Sequence, residues 1–131
     1  NLTAPGKRML SSMTPTIVAK DGNVFMVTGS PGGRTIINTV LQTIVNVVDF
    51  GMNAQEAVDA GRVHHQWLPD RLQVESKRFS PDTLNLLRSF GHQIVVRSIQ
   101  GVAEVIVVDP KTEHLQGGTD RRVADGAALG Y

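Results

Sequence analysis

Arg34 to Phe50 is a run of 17 residues with no glycine or proline, bounded by Gly32-Gly33 on one side and Gly51 on the other. Strands rarely run so far, so the segment reads as helix even though its β-branched residues weaken helix propensity. Gly51 stands where a helix C′ residue takes left-handed backbone. Ile37, Val40, Leu41, Ile44 and Val48 form one face, widened by Ile36 and Val47, and this spacing predicts a helix buried on most sides. Asn38, Gln42, Asn46 and Asp49 interrupt it and make it too polar for a membrane span.

What surrounds this helix reads as one α/β unit over residues 1–131, a length and a 40% hydrophobic content that suffice for a real core. Thr16–Ala19 and Val24–Val27 are β-prone runs joined across Asp21-Gly22, a strong hairpin signal because both residues tolerate positive φ. Asn53-Ala54-Gln55-Glu56 has the form of a capping box and opens a short helix to Ala60. Arg62 to Trp67 and Leu72 to Glu75 look extended about a Pro69-Asp70 turn. Ser80-Pro81-Asp82 supplies an N-cap serine and an N1 proline for a helix carrying Leu84, Leu87 and Phe90. Ile94–Arg97, Val102–Val108 and a segment near Leu115 read as further strands.

The net charge is +1 with no basic stripe, and only 5% of residues are aromatic, so neither the charge nor the stacking platforms of a nucleic-acid binder are present. Cysteine is absent, which removes disulfides, thiolate metal sites and a cysteine nucleophile. His64 and His65 are adjacent in an extended run and so point to opposite faces, while His92 and His114 stand apart; no metal and no cofactor is expected. Trp67 and Phe79 read as core or lid packing. Asn1-Leu2-Thr3 matches an N-glycosylation acceptor, a pattern short enough to arise by chance.

The stretch Thr28-Gly29-Ser30-Pro31-Gly32-Gly33-Arg34-Thr35 carries the chemistry. A phosphate loop would need four residues between its glycines followed by Lys and Ser or Thr; here the loop is one residue short and lacks the lysine. An oxyanion site asks less, because N–H groups at a helix start are unpaired and glycine leaves them open to an approaching atom. A tight turn is the plain alternative, and the motif alone favours it. Ser11-Ser12, ahead of the hairpin, can hold a carboxylate with two hydroxyl donors or merely satisfy local backbone.

Taken together, Lys7 to Ile17 (KRMLSSMTPTI), Thr28 to Gly33 (TGSPGG), Val63 to Asp70 (VHHQWLPD), Phe79 to Leu84 and the closing Asp120 to Tyr131 closely resemble the small subunit of γ-glutamyltranspeptidase, and specifically its C-terminal part. The resemblance implies an α+β fold of the N-terminal-nucleophile hydrolase type, a partial αββα sandwich. It also implies Gly32 and Gly33 as the oxyanion hole and Ser11 and Ser12 as the site for the substrate's α-carboxylate.

In that family a precursor cleaves itself and a new N-terminal threonine attacks the γ-glutamyl amide, forming an acyl-enzyme. That threonine belongs to a segment upstream of Ser11 which this sequence does not include, and Thr3 cannot replace it. The implied partners are γ-glutamyl substrates such as glutathione, acceptor amino acids, peptides or water, a large subunit and the N-terminal part of the small subunit. No nucleic acid and no membrane span are expected, and the implied location is periplasmic or extracellular. The alternative is a non-catalytic paralogue or fragment that keeps the fold as a binding or assembly module.

Overall fold

The computed structural model describes residues 2–130; Asn1, with its glycosylation-like pattern and amino-terminal position, and Tyr131 lie outside them. Residues 16–29 form the expected hairpin: β1 (Thr16–Lys20) and β2 (Asn23–Gly29) meet at Asp21 and Gly22, whose φ values of 52° and 82° supply the required turn. β6 (Glu104–Val108) pairs with β2, and β7 (Leu115–Thr119) pairs with β6, giving an antiparallel sheet in the order β1-β2-β6-β7. A second sheet holds β3 (Val63–His64), β4 (Leu72–Glu75) and β5 (Ile94–Arg97), with β4 and β5 parallel.

Three helices accompany these strands among the described residues. α1 (Ile36–Val48) follows a short 3₁₀ turn, Gly33–Thr35, and ends where Gly51 takes φ 66° and Met52 N–H returns to the Asn46 carbonyl at 3.0 Å. α2 (Ala54–Asp59) is opened by a complete capping box: Glu56 N–H donates to Asn53 Oδ1 at 2.9 Å, and Asn53 N–H donates to Glu56 Oε2 at 3.0 Å. α3 (Pro81–Ser89) begins at Ser80, whose Oγ accepts from Thr83 N–H at 3.1 Å. It links the parallel pair β4 and β5, the crossover such pairs require.

The core lies between one face of the larger sheet and α1 and α2. Met26, Val47, Ala54, Ala57, Val58, Ala103, Val105 and Val107 fill it, with Val18, Phe25, Ile44 and Met52 packed around them. Its side chains are small, so helix and sheet approach closely. A Cβ on Gly118 would stand 2.5 Å from the Ala54 carbonyl oxygen, which leaves glycine as the residue that lets α2 sit on β7.

The structure corrects four expectations. α1 buries Thr39, Val40, Thr43 and Val47, while Ile37, Leu41 and Val48 are about half exposed, so the helix is not buried on most sides. Threonine can take inner positions because Thr43 Oγ1 donates to the Thr39 carbonyl within the helix at 2.9 Å. Strand β6 starts at Glu104 rather than Val102, and the extended Arg62–Trp67 run shrinks to Val63–His64. Trp67 is 78% exposed, with φ 69°, which removes the core half of the core-or-lid expectation.

Much apolar surface stays open. Ile17, Val27 and Ile106 are cross-strand neighbours on the sheet face opposite the helices, and all three are exposed. The chain exposes 9170 Å², against about 6,800 Å² for an independent monomer of 14.2 kDa. Among the described residues, no helix is long and apolar enough to cross a membrane.

Candidate active site

Four segments leave the larger sheet at one end. Ser11-Ser12 precedes β1, the glycine corner follows β2, residues 99–103 precede β6, and Asp120 to Arg122 follow β7. The antiparallel registers require this: Thr16 pairs with Thr28, Gly29 with Glu104, and Glu104 with Thr119. The ladder therefore sets the start of β1, four residues past Ser12, beside the end of β2 that runs into the glycine corner.

At the corner, Gly32 has φ 140° and ψ 11°, and Gly33 has φ 56°. Both are conformations that side-chain-bearing residues rarely adopt. The Gly32 carbonyl accepts from Thr35 N–H at 3.2 Å and from Thr35 Oγ1 at 3.0 Å. Ser30 Oγ donates to the Pro31 carbonyl at 2.6 Å and accepts from Val102 N–H at 3.0 Å. Among the described residues, the N–H groups of Gly32 and Gly33 find no acceptor, and no side chain caps the turn. Both glycines are exposed, the first turn holds no acidic residue and Arg34 stands beside it. Open N–H donors in a positive local field can receive an oxygen that is gaining negative charge.

Ser11 is exposed and its Oγ accepts from Met13 N–H at 3.3 Å, a long local contact that leaves the hydroxyl proton free to donate. Ser12 is half-buried, and its carbonyl accepts from Thr14 Oγ1 at 2.9 Å. His64 is buried with Nε2 on Gln66 Oε1 at 2.9 Å, whereas His65 lies nearer the surface with Nε2 on Asp70 Oδ1 at 3.0 Å. The two adjacent histidines thus face opposite ways.

Sequence reasoning missed what stands behind the corner. Arg62, Glu75 and Asp120 are each no more than 2% exposed, and with Arg122 they form a closed set of two cations and two anions. Arg62 Nη1 lies 2.7 Å from Asp120 Oδ2, and Arg122 Nη1 lies 3.0 Å from Asp120 Oδ1. Arg122 also grips Glu75 with two parallel bonds, Nε to Oε1 at 2.7 Å and Nη2 to Oε2 at 2.6 Å.

Both arginines also donate to the Val58 carbonyl, and Arg122 to that of Ala60, at the end of α2; the set further holds the loop ahead of β6. Glu75 Oε1 accepts from Gln100 N–H, Asp120 Oδ2 accepts from Ala103 N–H, and Arg62 Nη1 donates to the Gln100 carbonyl. Burial alone would push the Asp120 carboxyl up. N–H bonds from Ala103 and Arg122 and the Arg62 guanidinium outweigh it and hold the group below the usual carboxylate range. Burial, reinforced by the like charge of Arg122, lowers Arg62. A sequence shows such residues only as isolated charges beside apolar runs.

This α+β arrangement is that of the N-terminal-nucleophile hydrolases. The gamma-glutamyltranspeptidase family model matches residues 1–130, and the chain belongs to that family. It is 53% identical over 131 residues to the glutathione hydrolase proenzyme of Escherichia coli K12, covering 100% of this chain and 22% of that protein. Among solved structures, Helicobacter pylori gamma-glutamyltranspeptidase superposes with a TM-score of 0.87 at 49% identity, over 92% of this chain and 66% of that one. The Pseudomonas nitroreducens enzyme gives 0.87 at 34% identity, over 100% and 68%. The chain thus spans between a fifth and a quarter of the length of the Escherichia coli and Pseudomonas sp. A14 glutathione hydrolase proenzymes.

Proposed function

We propose that this chain is the C-terminal part of the small subunit of a γ-glutamyl transferase or hydrolase acting on glutathione and related γ-glutamyl compounds. Membership of the family supports the reaction class, and the relatives' name, glutathione hydrolase proenzyme, supports the substrate and the processed precursor. One observation carries the chain's own role: the N–H groups of the exposed Gly32 and Gly33, without an acceptor among the described residues, each on a peptide whose carbonyl is held by a neighbouring hydroxyl.

In this reading a threonine from outside the chain attacks the γ-carbonyl carbon, and its hydroxyl proton passes to a base. The carbonyl oxygen takes up the electron pair and lies against Gly32 and Gly33 N–H. Collapse expels the amine and leaves an acyl-enzyme, which water, an amino acid or a peptide then resolves. Ser11 and Ser12 donate to the α-carboxylate and fix the glutamyl group so that its γ-carbon reaches the corner. The large subunit and the N-terminal part of the small subunit cover the open helix seam and sheet row. The location is periplasmic or extracellular.

The test is reconstitution. The rest of the precursor, expressed with and without residues 1–131, is assayed for release of the anilide from a γ-glutamyl anilide. Turnover should require both parts; equal turnover without residues 1–131 would remove their catalytic role.

A further inference from the structure

The geometry points to Ser30 and Thr35 as positioning residues, one for each N–H of the oxyanion corner. This rests on the reading of Gly32 and Gly33 given above and extends it to residues that touch no substrate. Leu68-Pro69 is the one cis peptide bond among the described residues, so Pro31–Gly32 and Gly32–Gly33 are trans. In a trans peptide the carbonyl and the N–H point in opposite directions across one rigid plane. Whatever holds the carbonyl therefore aims the N–H.

Each carbonyl has its own holder. The Pro31 carbonyl, sharing a plane with Gly32 N–H, accepts from Ser30 Oγ at 2.6 Å. The Gly32 carbonyl, sharing a plane with Gly33 N–H, accepts from Thr35 Oγ1 at 3.0 Å as well as from Thr35 N–H. Without the hydroxyls the Pro31–Gly32 plane loses its holder beside a freely rotating glycine, and the Gly32–Gly33 plane, with glycine on both sides, keeps only the bond from Thr35 N–H.

Ser30 is anchored in turn. Its Oγ accepts from Val102 N–H, and Val102 lies in the loop held by Arg62, Glu75 and Asp120. The hydroxyl thus joins a buried ion-pair cluster to the orientation of one catalytic peptide. Thr35 is attached only within its own turn, so the two hydroxyls act independently.

The experiment uses the complete, processed enzyme, with rates referred to the concentration of processed subunit. Ser30→Ala and Thr35→Val remove the hydroxyls; Ser30→Thr and Thr35→Ser retain them. Four quantities are measured: kcat and KM for a γ-glutamyl anilide, the inhibition constant of glutamate as a planar ligand, that of a glutamate analogue bearing a boronic acid at the γ-position, and the thermal midpoint. The boronate's tetrahedral adduct places an oxygen anion at the corner.

Removing either hydroxyl should lower kcat and boronate affinity together by about 10- to 100-fold, less than a donor lost outright. KM and the glutamate constant should stay within about twofold, and the retained-hydroxyl variants should recover most of the rate. Equal losses for glutamate and boronate, or losses that only track a lowered thermal midpoint, would make the hydroxyls general loop supports and overturn the proposal. Should Ser30→Ala fail to process, the Thr35 pair decides the matter. Gly32→Val and Gly33→Val separate the two levels. If they lower kcat while the hydroxyl variants do not, positioning alone fails; if they too leave kcat unchanged, the oxyanion reading beneath it fails.

Discussion

Gly101 backs directly onto Gly32: a Cβ built on Gly32 would stand 3.0 Å from Gly101 Cα, and one built on Gly101 would stand 2.8 Å from Ser30 Oγ and 2.5 Å from Thr39 Oγ1. Gly101 also has φ 69°, which a side chain disfavours. Gly101→Ala in the complete enzyme should therefore destabilise by about 1–3 kcal/mol through crowding and backbone strain. It should also lower kcat, because the alanine methyl pushes on the serine that orients the corner. Denaturant midpoints and initial rates together check this; unchanged values of both would mean that the loop and the corner move apart freely.

The two glycines of the corner should respond differently to alanine. A methyl on Gly33 meets nothing within 4 Å, so Gly33→Ala adds only the left-handed backbone penalty of about 1–2 kcal/mol. A methyl on Gly32 would lie 2.7 Å from Thr35 Oγ1 and against Gly101, and must displace one of them. Gly32→Ala should thus cost more rate than Gly33→Ala, and valine at either place should lower kcat by roughly 10²–10³ with little change in KM. Altered KM at constant kcat would mark the corner as a binding turn.

Ser11→Ala and Ser12→Ala should each weaken glutamyl binding by about 1.5–3 kcal/mol, the worth of a hydrogen bond to a charged group. The double variant should hurt γ-glutamyl substrates more than analogues lacking the α-carboxylate. Similar losses for both kinds of substrate would make the serines structural.

The hairpin, the two helix caps and the glycine corner were legible in the sequence because each is set by residues within a few positions of one another. Asp21-Gly22, Asn53 with Glu56, and Ser80 with Pro81 needed no tertiary partner to be read. The face of α1 was not legible. Ile37, Leu41 and Val48 are the more apolar seam, yet Thr39 and Thr43 lie inward with their hydroxyls on backbone carbonyls. Apolar spacing marks surfaces to be covered without saying whether this chain or another covers them. The Arg62–Asp120 pair was illegible for a different reason. Its members are far apart in sequence, and a lone charge usually signifies a solvated surface.

On the proposed mechanism the chain by itself should release no anilide from a γ-glutamyl anilide, because the attacking threonine comes from outside residues 1–131. With Ile17, Val27, Ile106 and the α1 seam open, it should also bind hydrophobic dyes and associate at micromolar concentration. Adding the rest of the precursor should abolish dye binding and restore turnover. Turnover by the isolated chain that survives contaminant controls would overturn the threonine mechanism.

Asp120 makes the buried cluster sensitive to acid. Its carboxyl is held below its ordinary value in the folded chain and returns to about 3.9 on unfolding. A lowered folded value means that the unfolded state binds the proton more readily. The stabilisation is therefore fully present above the unfolded value and is lost as pH falls through the lower, folded one. Asp120→Asn should cost about 3–5 kcal/mol near neutrality, because it leaves Arg62 buried without its closest anion. As pH falls below about 4 the unfolded carboxyl takes up a proton and the gap narrows; once the folded carboxyl is protonated as well it resembles the amide, and the two stabilities should converge. Denaturant midpoints of the complete protein and the variant from neutral pH down to about 2.5 give the comparison. A gap that stays constant over that range would show that Asp120 contributes by shape and not through its charge.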